Sequence, residues 1–94
     1  MRLLQVGQLV TSRQGRDLGR RYVVVQFYDD SFVGVADGLV RRVSRPKRKN
    51  IRHLVIHQAV LDGGKLDDKA IRAFIERHSG EEEERKEDAA HGQG

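Results

Sequence analysis

Hydrophobic and polar positions along the chain fall into short, closely spaced strands followed by one helical stretch. Val6 to Ser12 reads as a first strand, interrupted at Gly7. Arg20 to Asp29 reads as a second, with Tyr22-Val23-Val24-Val25-Gln26-Phe27-Tyr28 rich in residues that suit a pleated surface. Asp29-Asp30-Ser31 is turn chemistry, because short polar side chains bond the local backbone. Phe32 to Ala36 forms a third strand, and Asp37-Gly38 predicts a two-residue hairpin turn into a returning strand over Leu39 to Val43. Pro46 cannot donate to a strand ladder and closes that strand, leaving Lys47-Arg48-Lys49-Asn50 as a basic loop. Ile51 to His57 then alternates as a fifth strand. Ile51, His53, Val55 and His57 lie on one face and Arg52, Leu54 and Ile56 on the other, and either face can be the buried one. Five short strands joined by tight turns point to a mainly β domain, a small barrel or rolled sheet.

After Gly63-Gly64 the period changes. Ala70, Ile71, Phe74, Ile75 and His78 share one face of a helix over residues 67–78, with Asp67 as its N-cap and Gly80 as its stop. A helix this short is marginal alone, so its Ile71/Phe74/Ile75 face packs on the strands or meets a protein partner. From Glu81 to Gly94 no apolar period exists, and Glu81-Glu82-Glu83-Glu84 opens what reads as a disordered acidic tail. The predicted organisation is a β domain over residues 1–62, a helical extension over 63–80 and the tail over 81–94.

Charge adds an asymmetry to this layout. The net charge of +4 divides into a basic stretch over residues 1–57, with 12 Lys/Arg against 4 Asp, and an acidic one over 58–94, with 6 Lys/Arg against 10 Asp/Glu. A basic body with an acidic end suggests a polyanionic partner for the body. Absence of cysteine excludes a disulfide framework and a Cys-ligated zinc site. Met1 to Gln8 holds no apolar run of signal-peptide length, and no stretch approaches the roughly 20 apolar residues of a membrane span. The expectation is a cytoplasmic protein with no membrane partner.

Two cationic clusters carry the candidate chemistry. One is the turn between the first two strands, with Arg13, Arg16, Arg20 and Arg21 around Gly15 and Gly19. The other is Arg41, Arg42, Arg45, Lys47, Arg48, Lys49 and Arg52, with His53 beside it. Arginine contacts phosphate bidentately and stacks on bases, and each phosphate neutralised releases counterions. Glycines beside arginines let a phosphate approach backbone N–H groups, although Gly15 and Gly19 can equally serve the turn alone. Asp17 is expected to cap local amides or to hold a neighbouring arginine. Tyr22, Tyr28 and Phe32 are candidates for base stacking, with core packing the alternative reading of each.

Catalytic patterns are missing. No serine or threonine stands in a nucleophile elbow, and no glycine-rich loop ends in Lys-Ser/Thr. His53 and His57, four residues apart on a strand, would be roughly 13 Å apart, too far for one metal. The expectation is therefore a protein that is not an enzyme, with no cofactor and no metal.

Over Val6-Gly7-Gln8-Leu9-Val10-Thr11-Ser12-Arg13-Gln14-Gly15-Arg16-Asp17-Leu18-Gly19-Arg20-Arg21-Tyr22-Val23-Val24-Val25 the sequence resembles a KOW motif. Gly7, Gly15 and Gly19 match its glycines, and Leu9, Val10, Val23 and Val25 its hydrophobic positions. The run Val33-Gly34-Val35-Ala36-Asp37-Gly38 on to Arg41-Arg42-Val43 is similar to small bacterial KOW proteins, and these to a group of archaeal and eukaryotic large-subunit ribosomal proteins. The resemblance covers about residues 4–57. It implies an SH3-like five-stranded barrel that binds RNA, such as structured rRNA or the ribosome, through the turn at Arg13–Arg20. An SH3-like protein–protein interaction module is the alternative it leaves open. Nothing in the family pattern covers the acidic tail.

Overall fold

The computed structural model describes residues 4–62 and 64–78. Five strands, β1 (Gln8–Ser12), β2 (Arg21–Phe27), β3 (Phe32–Ala36), β4 (Lys47–Asn50) and β5 (Leu54–Val60), form one antiparallel sheet in the order β4-β3-β2-β1-β5. A helix, α1, covers residues 68–78. Gly80 and the acidic segment 81–94 lie outside the described residues.

Alternation along β1, β2 and β3 fills both faces of the sheet. Val10, Tyr22, Val24, Val33, Val35 and Leu54 pack on one face with Leu4. Leu9, Val23 and Ala36 pack on the other, beneath Ile71 and Phe74 of α1. The helix begins as expected, with Asp67 Oδ1 accepting the Ala70 amide at 2.8 Å. Its Ile71/Phe74 face is buried against the sheet and so is not available to a protein partner. No helix among the described residues is long and apolar enough to cross a membrane.

Register shifts between Val24 and Gln26 in β2 and between Gln8 and Val10 in β1 mark irregularities of the bulge type, which increase local twist and bend the strands. The chain passes from edge strand β4 to the opposite edge strand β5 through a single 3-10 turn, Ile51–His53. The two edges therefore approach each other at that turn. No ladder joins them among the described residues, so the sheet is curled and open, and the expected closure into a barrel is not seen.

Three boundaries differ from the sequence reading. Residues 39–43 form no strand and Asp37-Gly38 no hairpin turn. Instead Asp37 Oδ1 accepts the amides of Leu39 (2.9 Å) and Arg41 (2.8 Å), and the Val43 amide donates to Asp68 Oδ1 at 2.8 Å. These side-chain acceptors satisfy amides that a ladder would otherwise use. Lys47–Asn50, expected as a loop, is edge strand β4, paired with β3 from Val35↔Lys47 to Phe32↔Asn50. Ile51–His53 is the 3-10 turn, capped by Asn50 Oδ1 on the Arg52 amide at 2.9 Å, which moves the fifth strand to Leu54–Val60.

Gly38 fixes how the 37–43 loop meets α1. Its φ is +80°, and a Cβ there would collide with the Asp68 backbone carbonyl. Gly38→Ala is expected to cost about 1–3 kcal/mol and to lower Tm by at least about 5 °C in thermal unfolding. Leu39→Ala at the exposed neighbouring position should stay within about 0.5 kcal/mol; equal effects of the two would contradict this role.

Candidate nucleic-acid interface

The turn between β1 and β2 is wound around a carboxylate that points inward. Gly15 and Gly19 hold φ values of +93° and +89°, which side chains with a Cβ rarely adopt. The backbone closes through Gly19 N–H to Ser12 O at 2.8 Å, Ser12 N–H to Arg20 O at 2.9 Å and Arg20 N–H to Asp17 O at 2.9 Å. Asp17, 7% exposed, lies within this loop. Its Oδ1 accepts from Ser12 Oγ at 2.8 Å and from Lys49 Nζ at 3.2 Å. Its Oδ2 accepts from Tyr22 Oη at 2.9 Å and pairs with Lys47 Nζ at 3.1 Å.

Burial is the largest influence on Asp17 and pushes its carboxyl up, but hydrogen bonds from Ser12, Tyr22, Lys47 and Lys49 together outweigh it and hold the group well below the usual carboxylate range. The Tyr22 phenol is pushed above its ordinary value, first by burial and then by its hydrogen bond to the Asp17 carboxylate and that group's negative charge. The expected partners of Asp17 were local amides or an arginine. Two lysines of β4 and two hydroxyl groups take those places.

This network divides the cations. Lys49 is 8% exposed, with its ammonium shared among Asp17, Ser12 Oγ (3.1 Å) and Gln14 O (3.3 Å). Its charge is committed to the interior. Tyr22 is buried and its ring unavailable for stacking. Arg13, Arg16, Arg20, Arg41, Arg42, Arg45, Arg48 and Arg52 are exposed, while Arg21, Lys47 and His53 are half-buried.

Distances along the chain mislead about which of these meet. Arg16 and Arg20 from the turn, Arg41 from the 37–43 loop and Lys47 from β4 line one groove of about 220 Å³, together with Val40, Asp17 and Tyr22. The two clusters separated in sequence thus share a surface. Arg13 and Arg21 line a neighbouring groove of about 290 Å³ with Leu18 and Val55. Arg42 faces α1, sharing a depression of about 550 Å³ with Lys69 and Arg72. Lys69 and Arg72 carry no signal of their own in the sequence, where they are ordinary polar positions of a helix. The docking of the 37–43 loop on Asp68 brings them beside Arg42.

His53 lies in the 3-10 turn and His57 in β5. His53 O accepts the Arg13 amide at 2.9 Å, and His57 Nε2 lies 2.7 Å from Thr11 Oγ1. Among the described residues no group of three His, Cys, Asp or Glu side chains could hold a metal ion. What the groove offers is three exposed arginines beside Lys47, whose ammonium is shared with Asp17, an arrangement that can attract anions by charge and hold them through the arginine forks.

No protein-family model matches the chain. The chain is similar in sequence to the large ribosomal subunit protein eL14 of Aeropyrum pernix, with 30% identity over 77 residues that cover 80% of this chain and 77% of that protein.

The Asp17 network makes a pH-dependent contribution of known sign. A carboxyl held low in the folded state adds stability above its unfolded pKa of about 3.9 and loses it as pH falls through the lower folded value. Asp17→Asn leaves the buried Lys49 ammonium uncompensated and is expected to cost about 3 kcal/mol in urea unfolding at pH 7. The gap from the unaltered protein should narrow below about pH 4. The double variant Asp17→Asn/Lys49→Met should be more stable than Asp17→Asn alone. A gap that is constant with pH would show that the Asp17 charge does not support the turn.

Proposed function

We propose, from the premise that the chain belongs to the family of the large ribosomal subunit protein eL14, that it is a non-catalytic RNA-binding protein of the ribosome. The observation that carries this reading is the groove at which Arg16, Arg20, Arg41 and Lys47 converge. RNA offers closely spaced phosphates, and a curled sheet that fixes several cations at once holds them with little further ordering cost. An arginine-rich surface whose Tyr22 is buried suits recognition of folded RNA by shape and phosphate.

The β1–β2 turn then acts as the RNA-facing turn of a KOW-like motif. Gly15 and Gly19 shape the backbone, Asp17 anchors it, and Arg16 and Arg20 on either side of Asp17 reach outward. Arg13 and Arg42 line separate depressions, and Arg45 and Arg52 are exposed, so each can add positive charge to the surface. Lys49 supports the interface from within by holding Asp17.

Affinity for a structured RNA hairpin, measured as a function of salt, tests the reading. Four phosphate contacts predict a slope of log K against log salt of about −3 to −4. The triple variant Arg16→Ala/Arg20→Ala/Arg41→Ala changes exposed side chains and should flatten that slope by about 3 while leaving the unfolding curve near its original position. A slope near zero, or one unchanged in the variant, would overturn the assignment.

A further inference from the structure

Strand β4 presents different chemistry on its two faces. Lys47 and Lys49 reach back to Asp17, and Arg48 between them projects to the opposite side. There its guanidinium carbon lies 4.3 Å from the centroid of the Phe32 ring and 5.7 Å from that of Tyr28. Both distances fall within cation–π range. Arg48 is exposed and Tyr28 is 42% exposed, so this stack lies open to solvent.

The two rings are held in place by backbone. Asp29 Oδ1 accepts the amides of Ser31 and Phe32, both at 2.8 Å, and Tyr28 N–H donates to Phe32 O at 3.0 Å. Ser31 O accepts the Ile51 amide at 2.8 Å, tying the β2–β3 turn to the 3-10 turn. Gly34 is the register partner of Arg48, and a Cβ on it would stand 2.9 Å from Tyr28 Oη and 3.2 Å from Pro46 Cβ. Tyr28 Oη and Pro46 therefore both lie close over Gly34.

A guanidinium held against a ring has little freedom left to lose, and the exposed Arg48 side chain can meet another flat group from solvent. The Asp29 carboxylate lies within Coulombic reach of Arg48. We propose that Arg48, held on Phe32 and flanked by Tyr28, is a stacking platform for an unpaired nucleobase of RNA. The platform rests on the RNA-binding reading above and adds a base-recognising element on the other face of β4. Arg48 has a different task here from the arginines of the groove: it offers a plane, and they offer charge.

The test compares a 12-residue oligoadenylate with an abasic ribose-phosphate 12-mer of equal charge, by fluorescence anisotropy over a salt series. The unaltered protein should bind the oligoadenylate about tenfold more tightly, as expected for roughly one stacked base. Arg48→Lys keeps the charge and removes the plane, so it should bring the ratio close to one with affinity for the abasic strand unchanged. Phe32→Leu, which removes the ring beneath Arg48, should lower the ratio as well. Salt-sensitive binding that is equal for both probes would overturn the platform and leave the phosphate-binding groove standing. Retention of the preference in Arg48→Lys would overturn it too, as would equally tight binding of polyglutamate of matched charge. Absence of salt-sensitive binding to either probe would overturn the platform, while the hairpin titration decides the RNA-binding reading separately.

Discussion

One buried carboxylate organises this protein. Each Asp17 oxygen accepts one hydroxyl hydrogen bond and faces one ammonium, so the group is fully partnered despite its 7% exposure. Burying a carboxylate and an ammonium is costly, and such a network is stable only when all its members are satisfied. Here the members come from the end of β1, the following turn, the start of β2 and edge strand β4. Removing any of them would leave the others desolvated and unmatched. The sheet is thereby held in its curl by side chains, across the gap that backbone ladders leave open.

That same constraint aims the arginines. With Asp17 drawn inward, Arg16 before it and Arg20 three residues on fall on the outer side of the turn, where they meet Arg41 and Lys47. Two positive-φ glycines make the winding possible, and the Asp17 bonds make it stable. A turn fixed in this way presents its cations in advance, which suits a surface that positions phosphates.

Alternation along β4 accounts for the rest of the surface. Period two sends Lys47 and Lys49 to one side and Arg48 to the other, so one four-residue strand serves both the interior lock and an exposed stack on Phe32. One face of the sheet is covered by α1, whose Ile71 and Phe74 pack on Leu9, Val23 and Ala36. With both faces of the central strands β1, β2 and β3 largely buried, the turns and the two edge strands carry most of the exposed surface.

The sequence by itself determined β1, β2 and β3, the start of α1 at Asp67, and which segments are cationic. These follow from local rules: β-branched alternation, helical spacing and capping, each read within about one turn or strand. It misread Lys47–Asn50 as a loop, because three cations in a row look like a solvated segment until β3 is seen pairing with them. It placed a strand at residues 39–43, where Asp37 and Asp68 accept the amides instead. Only the tertiary structure decided that Lys49 is internal, that Arg16 and Arg41 share a groove, and that Arg48 stacks on Phe32. The Asp17–Lys49 contact spans 32 positions of sequence, and no periodicity within a strand carries information over that separation. Curling the sheet brings those positions together, and the balance of burial cost against charge pairing then selects which cations turn inward and which stay exposed.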